Sequence, residues 1–459
     1  MIAKLGKVLN RLSDRFVPDP FVLVLVLTVL TVVGGFFFGA EVRALSPLDR
    51  AATLSEGWFG QFYNTGLMKF AMQMAIVLLT GHALAMSTPV RRLIKALARV
   101  VTSPGGAVIV VALVACLASL IQWGLGAIAG AFMAREMGRA FAEEGRSIHY
   151  PLLGAAGYAG FLVWHGGLSG TAPLAVAQDD HFLVETLGVI PVSETLFSNL
   201  NLIVTAALLI VIPLLFWRLM PRDIADMRGF EEWEPRGMSA GIQAPRPSPS
   251  AHPLIRLLEG TRLLNLIAGL TMTAVLIHYF ADRGLDGWNL DSINLLFLTL
   301  GVLLHPTPRS YAAAIADGAR GAAGIILQFP FYFGILGLLI ASGLIIQISN
   351  FFLEISTVTT YPLFTFLSAG IVNFFVPSGG GQWAVQGPVM MEAIDALGVA
   401  PHKAIMALSY GDAWTNMLQP FWALPLLGIT GLRARDIIGY TGFVFLVTGP
   451  IFIGLLLVF

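Results

Sequence analysis

A multi-pass, all-α membrane protein made of two inverted repeats is the architecture this chain encodes, and three features say so. The 459 residues are 56% hydrophobic and 12% charged, with a mean hydropathy of +0.78, a composition suited to a bilayer. Glycine- and proline-rich breaks interrupt four of its apolar stretches. The order of those breaks in the first half recurs in the second.

Charge and cysteine content narrow the function classes. Lysine plus arginine equals aspartate plus glutamate, at 27 each, so the chain lacks the basic excess that nucleic-acid binding draws on. Cys116 is the single cysteine. It cannot form an intramolecular disulfide, and no metal-ligand spacing accompanies it. No resident cofactor or metal is expected, and no Ser-His-acid grouping at a believable spacing points to a membrane-embedded enzyme.

The basic N-terminus, MIAKLGKVLNRLSDR, precedes an apolar run from Phe21 to Phe38 with no small-residue cleavage site after it. This predicts a retained first span and not a signal peptide. Residues 40–65 read as a polar loop, and Leu67 to Met86 as the second span. Gly105 to Ala134 carries no charge, yet QWGLG (Gln122 to Gly126) divides it. Each half is about 15 residues, or about 22 Å as helix, against a hydrocarbon core of roughly 30 Å. Two arms of a re-entrant hairpin, about 105–147, therefore fit better than one kinked crossing. A broken helix at 151–177 is interrupted at WHGGLSGTAP (Trp164 to Pro173). After a span from Leu196 to Trp217, residues 218–262, with APRPSPS near their middle, read as a flexible linker.

The second half brings spans at Leu263 to Phe280, about Ile293 to Leu304, and Gly321 to Ile346. A second hairpin follows at about 361–397, then a second broken helix at 404–429, interrupted around SYGDAWTN (Ser409 to Asn416), and a last span from Ile437. The repeats are thus 1–218 and 263–459, joined by a linker at 219–262. With the N-terminus in the cytoplasm and both hairpins returning to their side of entry, 22 of the 27 lysines and arginines fall on cytoplasmic segments. The exceptions are Arg43, Arg50, Lys69, Arg283 and Lys403. That bias is a strong positive-inside signal.

Displacing the first half by about 252–254 positions lays CLASLIQWGLGAIAGAFM on AGIVNFFVPSGGGQWAVQ, and GYAGFLVWHGGLSGTAP on SYGDAWTNMLQPFWALP. One hairpin opens from the cytoplasm and the other from outside, so the repeats are inverted. Inverted repeats whose broken helices meet at mid-membrane characterise secondary transporters. Glycine costs about 1 kcal/mol in a helix interior relative to alanine and proline about 3, so Pro377, Ser378 and the three following glycines read as a non-helical tip. In lipid such backbone survives only where protein or a wet cavity surrounds it.

The sequence resembles the short-chain fatty acid transporter family, of the acetoacetate and butyrate permease type. The residues that carry the likeness are VPDPF (Val17 to Phe21), LTGHALA (Leu79 to Ala85), QWGLGAIAG (Gln122 to Gly130), HYPLLGAAGYAG (His149 to Gly160), WHGGLSGTAPL (Trp164 to Leu174), NFFVPSGGGQWAVQGP (Asn373 to Pro388) and GDAWTNMLQPFWALPLLGI (Gly411 to Ile429). They span nearly the whole chain. The family is similar to the ion transporter superfamily, whose sodium–dicarboxylate symporters are dimeric elevators. The resemblance therefore implies a bacterial inner-membrane homodimer, with a scaffold and a moving transport domain, that carries short-chain fatty acid anions with H⁺ or Na⁺. Those symporters bear Ser-Asn-Thr at the hairpin tips, where this chain has QWG and SGGGQW.

Candidate site residues follow from the breaks. At the tips, Gln122, Trp123, Gly124, Gly126, Ser378, Gly379, Gly380, Gly381, Gln382 and Trp383 are expected to line the substrate site. Backbone N–H groups and helix dipoles there suit an anion. The absence of lysine and arginine from both tips favours a monocarboxylate over a dicarboxylate or sugar acid. Trp123 and Trp383 are candidates for an apolar wall, or are plain packing residues. Asp412 and His165 are the isolated ionisable groups of their broken helices, and an intramembrane ionisable residue is a functional candidate by default. Either could couple transport to an ion; Asp412 could instead cap its helix, and His165 could be a satisfied interior histidine. Ser169, Thr171, Thr415, Asn416 and Gln419 supply neutral ligands for Na⁺ or substrate. Lys69 is expected to snorkel, and His305 and Asp317 to lie at the interface.

Overall fold

The computed structural model describes residues 19–179, 181, 183–233, 252–287, 290–375, 377 and 379–459. Ser378, the basic N-terminus and the APRPSPS stretch lie outside the described residues. Among those described, every regular element is a helix, and six are long and apolar enough to cross a bilayer; Pro47–Lys69 and Ala71–Leu84, bent by 47°, make a seventh if counted as one span.

One side of the molecule is built along a single helix. The chain opens with α1 (Pro20–Phe38), α2 (Pro47–Phe62) and α3 (Thr65–Met86). All three pack on α14 (Pro308–Ser342), whose 35 residues would reach about 52 Å. Residues 40–65 are therefore no polar loop. Pro47 opens a helix capped by Ser46, and its small and aromatic side, Gly57 and Trp58, closes on Gly337 and Gly334 of α14. Next come α4 (Thr88–Val100), α12 (Leu263–Arg283) and α13 (Leu290–Leu304). The Asn265 side chain of α12 donates to the His305 carbonyl at 3.0 Å.

The other side holds the two hairpins and two broken helices. In the first hairpin α5 (Pro104–Ile121) and α6 (Trp123–Glu143) meet at Gln122, whose extended backbone breaks the helix and whose Oε1 accepts from Leu125 N at 2.7 Å. That is an N-cap, which satisfies a donor the new helix would otherwise orphan. The arms have 18 and 21 residues, longer than the half-crossings expected, so α5 alone reaches spanning length. The second hairpin joins α16 (Tyr361–Phe375) to α17 (Gly379–Leu397). Here the expectation of an unwound glycine tip is corrected: Gly379, Gly380 and Gly381 form the first turn of α17. A first turn has no preceding carbonyls to bond, so glycine costs least there.

The first broken helix is α7 (Tyr150–Tyr158), two 3₁₀ turns at Ala159–Leu162 and Trp164–Gly166, an extended Gly167, and α8 (Thr171–Ala175). The second is α18 (Pro401–Thr415), a 3₁₀ turn at Asn416–Leu418, an extended Gln419, and α19 (Pro420–Thr430). Hairpin and broken helix touch backbone to backbone: a side-chain carbon on Gly130 would fall 2.1 Å from the Gly157 carbonyl oxygen. The short α9 (Val184–Leu187), then α10 (Asn199–Leu219), α11 (Pro253–Gly260), α15 (Leu344–Glu354) and α20 (Ala434–Val458) complete the set.

Two further expectations are corrected. The start of the linker is not loose. Phe230 and Trp233 are buried against Tyr150 of α7, and Trp233 Nε1 donates to Asp436 Oδ2 at 3.1 Å; two large aromatic rings so close to an apolar surface leave water. His305 and Asp317 are likewise interior rather than interfacial, each 4% exposed. Lys69 pairs with Asp291 at 3.1 Å on the exposed rim.

Candidate functional site

The two isolated ionisable groups of the broken helices meet. His165 Nε2 lies 3.2 Å from Asp412 Oδ1, with side chains 1% and 0% exposed. His165 sits in the second 3₁₀ turn, where the α7 helix has already ended. Asp412 sits one turn before α18 ends at Thr415. The contact is close, but its atoms are not aligned for hydrogen bonding: both ring nitrogens and both carboxylate oxygens lack hydrogen-bond partners. A buried pair with that much unused capacity is costly unless something else binds there. The Trp164 ring lies against the imidazole, with centroids 3.6 Å apart.

The tip of the second hairpin lands on the histidine of this pair. A side-chain carbon on Gly379 would stand 2.8 Å from His165 Cε1 and 3.0 Å from Thr171 Oγ1. Only glycine lets the start of α17 come so near. The first-turn N–H groups of α17 and the positive end of its dipole therefore lie beside His165 and Thr171. Gly379 is buried, whereas Gly380 is exposed. The first hairpin tip meets the same broken helix differently. Trp123 N donates to Ser169 Oγ at 3.0 Å, and Leu168 N to the Leu120 carbonyl at 2.7 Å.

Thr415, Asn416 and Gln419 assemble around Asn373, which is not among the residues expected at the site. Its Nδ2 donates to the Asp412 carbonyl at 2.9 Å, Thr415 Oγ1 at 3.0 Å and Asn416 Oδ1 at 2.8 Å. Gln419 Nε2 donates to the carbonyls of Asn373 and Phe374 at 3.1 and 3.0 Å. Tyr158 Oη lies 2.7 and 2.9 Å from the Asn416 and Gln419 carbonyls, tying the first broken helix to the second. Asn201 of α10 adds another tie. It donates to the Gly166 carbonyl at 2.9 Å and accepts from Tyr410 Oη at 3.0 Å. Asn373 is the one amide side chain in its helix sequence, YPLFTFLSAGIVNFF, and that isolation was the available signal.

The remaining predicted residues lie elsewhere. Gln122 caps its own helix, and Gly126, like its neighbour Gly124, is packed into the hairpin; a side-chain carbon on Gly126 would overlap Ser119. Gln382 donates to the Ala369 carbonyl and to Gln386 Oε1, at 2.9 and 2.7 Å, within the second hairpin. The two tryptophans occupy separate buried clusters. Trp123 joins Phe161, Trp164 and Trp422, with centroids 5.1 to 6.5 Å apart, whereas Trp383 lies with Ala172, Val176 and Leu183. They do not form one wall. Neutral donors, one imidazole and one carboxylate thus converge at the breaks, a set able to hold a small anion and exchange a proton.

Comparison with known proteins gives this arrangement its context. The family model described as "Short chain fatty acid transporter" matches residues 1–459. A protein of Escherichia coli K12 assigned as a short-chain fatty acid transporter is 39% identical over 455 residues, 99% of each chain. A Haemophilus influenzae protein with the same assignment is 34% identical, again over 99% of each. Among solved structures, the Alcanivorax borkumensis YdaH transporter aligns over 96% of this chain and 98% of its own at 15% identity and a TM-score of 0.42. Neisseria gonorrhoeae MtrF, titled as illuminating a class of antimetabolite efflux pumps, aligns over 98% and 97% at 14% identity and a TM-score of 0.36. These two overlaps are too loose to guide the reading of the site. With its full length matched by the family model and by two relatives above 30% identity, the chain is a multi-pass membrane protein that belongs to the short-chain fatty acid transporter family.

Proposed function

We propose that the protein is a secondary active transporter of the bacterial inner membrane that moves one short-chain fatty acid anion, such as butyrate or acetoacetate, together with one proton. The buried His165–Asp412 pair carries this reading. With His165 neutral, the site holds one negative charge and repels a carboxylate. At 4 Å and an effective dielectric of 20, two like charges oppose each other by about 4 kcal/mol. A proton on the pair cancels that charge. The substrate carboxylate then binds the first-turn N–H groups of α17 and Thr171, so the proton goes on before the anion. No lysine or arginine stands among these residues, which favours a monocarboxylate over a dicarboxylate or sugar acid.

The hairpins and broken helices form the moving unit, and the helices around α14 the scaffold and the dimer interface. Gly160 lies against the Ala115 carbonyl and Gly411 against the Phe366 carbonyl, close enough that a side-chain carbon would come within 2.6 and 2.1 Å of the oxygen. Both contacts recur at one offset, 251 positions (411 less 160, 366 less 115), which supports the two halves as repeats.

The test is uptake of labelled butyrate or acetoacetate into proteoliposomes under an imposed proton gradient or an imposed sodium gradient. The expected result is uphill accumulation under the proton gradient alone. Accumulation under sodium alone would move the coupling to Na⁺. Downhill leak under either would make the protein a passive pathway.

A further inference from the structure

Between the end of α3 at Met86 and the start of α5 at Pro104, the chain forms α4, with the sequence TPVRRLIKALARV. Pro89 stands in its first turn, where a missing N–H goes unnoticed. The sequence spaces Val90, Leu93, Leu97 and Val100 by three or four residues, and Arg91, Lys95 and Arg99 by four. Arg92 adds a fourth cation, and residues 87–104 contain no acid. That is the pattern of a helix apolar along one side and basic along the other. Leu93 is 61% exposed and Val100 81%. Arg92 is exposed as well, and the buried Nε of Arg91 has no hydrogen-bond partner.

The neighbours of α4 mark the level of the membrane surface. Both α5 and α10 are long and apolar enough to cross a bilayer, and their ends meet. A side-chain carbon on Gly105 would fall 2.5 Å from Cδ1 of Trp217, near the end of α10. Trp217 is 45% exposed, and the Arg218 guanidinium lies over its ring at 5.0 Å. Such an exposed tryptophan at the end of a span belongs to the boundary between hydrocarbon and water. Four cations cannot enter hydrocarbon cheaply, whereas exposed Leu93 and Val100 gain by leaving water. Both requirements are met by a helix lying flat in the headgroup layer.

We propose that α4 is a docking helix for anionic phospholipid. Its basic residues bind the phosphate-bearing headgroups of acidic lipids, and Leu93 and Val100 sit among the upper ends of the acyl chains. An anionic headgroup layer attracts each lysine or arginine held near it; a zwitterionic layer does not. A soluble anion such as phosphate would answer the charges but leave Leu93 and Val100 in water, so lipid is the occupant that fits both halves of the pattern. The helix is also fastened to the first hairpin at each end. It runs into α5, and Arg146, beyond α6, donates to the Val101 carbonyl at 2.9 Å while pairing with Glu144 at 2.7 Å. A lipid grip on α4 therefore bears on both arms of that hairpin.

The experiment needs neither substrate nor uptake. Leu93→Cys in a Cys116→Ala background carries a thiol-linked fluorophore, and the full chain is reconstituted into vesicles of equal phosphatidylcholine and phosphatidylglycerol. A nitroxide quencher is carried by one lipid or the other, near the headgroup and at equal amounts. The phosphatidylglycerol label is expected to quench about threefold more strongly, and the ratio to fall toward one in about 1 M salt, where charges act over only about 3 Å. The same fall is expected when Arg91→Gln, Arg92→Gln, Lys95→Gln and Arg99→Gln are combined in the labelled protein. Equal quenching by both lipids at low salt would overturn the proposal. So would quenching by neither, or an excess that survives salt or the four substitutions. Should the glutamine variant fail to elute as a folded protein, the salt series on the labelled protein with its basic residues intact decides alone.

Discussion

The molecule contains two buried His–Asp pairs of nearly equal length, His165–Asp412 at 3.2 Å and His82–Asp317 at 3.1 Å, and their surroundings differ in kind. The first joins a 3₁₀ turn to the last turn of α18, beside the glycine-opened start of a third helix, with polar atoms left unused. The second sits between continuous helices, with Arg135 and the Glu136–Arg139 ion pair nearby on α6. The same two side chains thus stand at a helix break in one place and between continuous helices in the other. What separates them is backbone setting and neighbouring charge, since both are buried and both leave polar atoms unused.

Substitutions can break or sharpen that contrast. The largest effect is expected from Asp412→Asn: proton-driven accumulation in proteoliposomes falls about 100-fold or more, because the pair loses the carboxylate that would hold the coupling proton, while elution and helix content stay close to wild type. Asp317→Asn should do the reverse, losing about 3–5 kcal/mol of stability as the buried pair with His82 is broken, read as a lowered unfolding midpoint. If both variants lost accumulation while keeping stability, the contrast would be gone. Gly379→Ala comes next. Its methyl must displace His165 or Thr171, at about 1–3 kcal/mol, and should raise the KM for butyrate roughly tenfold or more. Asn373→Ala removes three donated bonds and should cost about 1–3 kcal/mol of stability, with a smaller change in KM. Smallest is Lys69→Ala. Its pair with Asp291 is more than half exposed, worth about 0–1 kcal/mol, so uptake and unfolding should match wild type.

Much of this architecture could be read from residue order alone, because lipid forbids irregular backbone and so makes each glycine or proline break conspicuous. QWGLG, WHGGLSGTAP and PSGGG lie where the chain breaks, but SYGDAWTN does not mark its break: α18 stays helical through Thr415, and the interruption falls at Asn416–Gln419. Other features could not be read so. Within residues 40–65, Pro47–Phe62 form a helix because Ser46 caps it and Gly57 fits Gly337, a contact between distant parts of the chain. His165 and Asp412 stood out singly, yet their meeting depends on two broken helices from opposite halves crossing. Trp383 and Trp123 looked equivalent because each follows a tip, but the first hairpin breaks at a capping Gln122 and the second starts its helix on glycine, and the rings turn into different clusters.

The buried start of the linker has a consequence for how the chain can be cut. Trp233 lies at the start of the linker, yet its indole donates to Asp436 at the start of the last helix, where Arg433 also binds that carboxylate at 2.9 and 3.0 Å. A fragment ending after Trp233 therefore carries its own fastener for the other fragment. The two halves, made as separate polypeptides, should find each other in the membrane if the break falls beyond that indole, and fail to if it falls before Phe230.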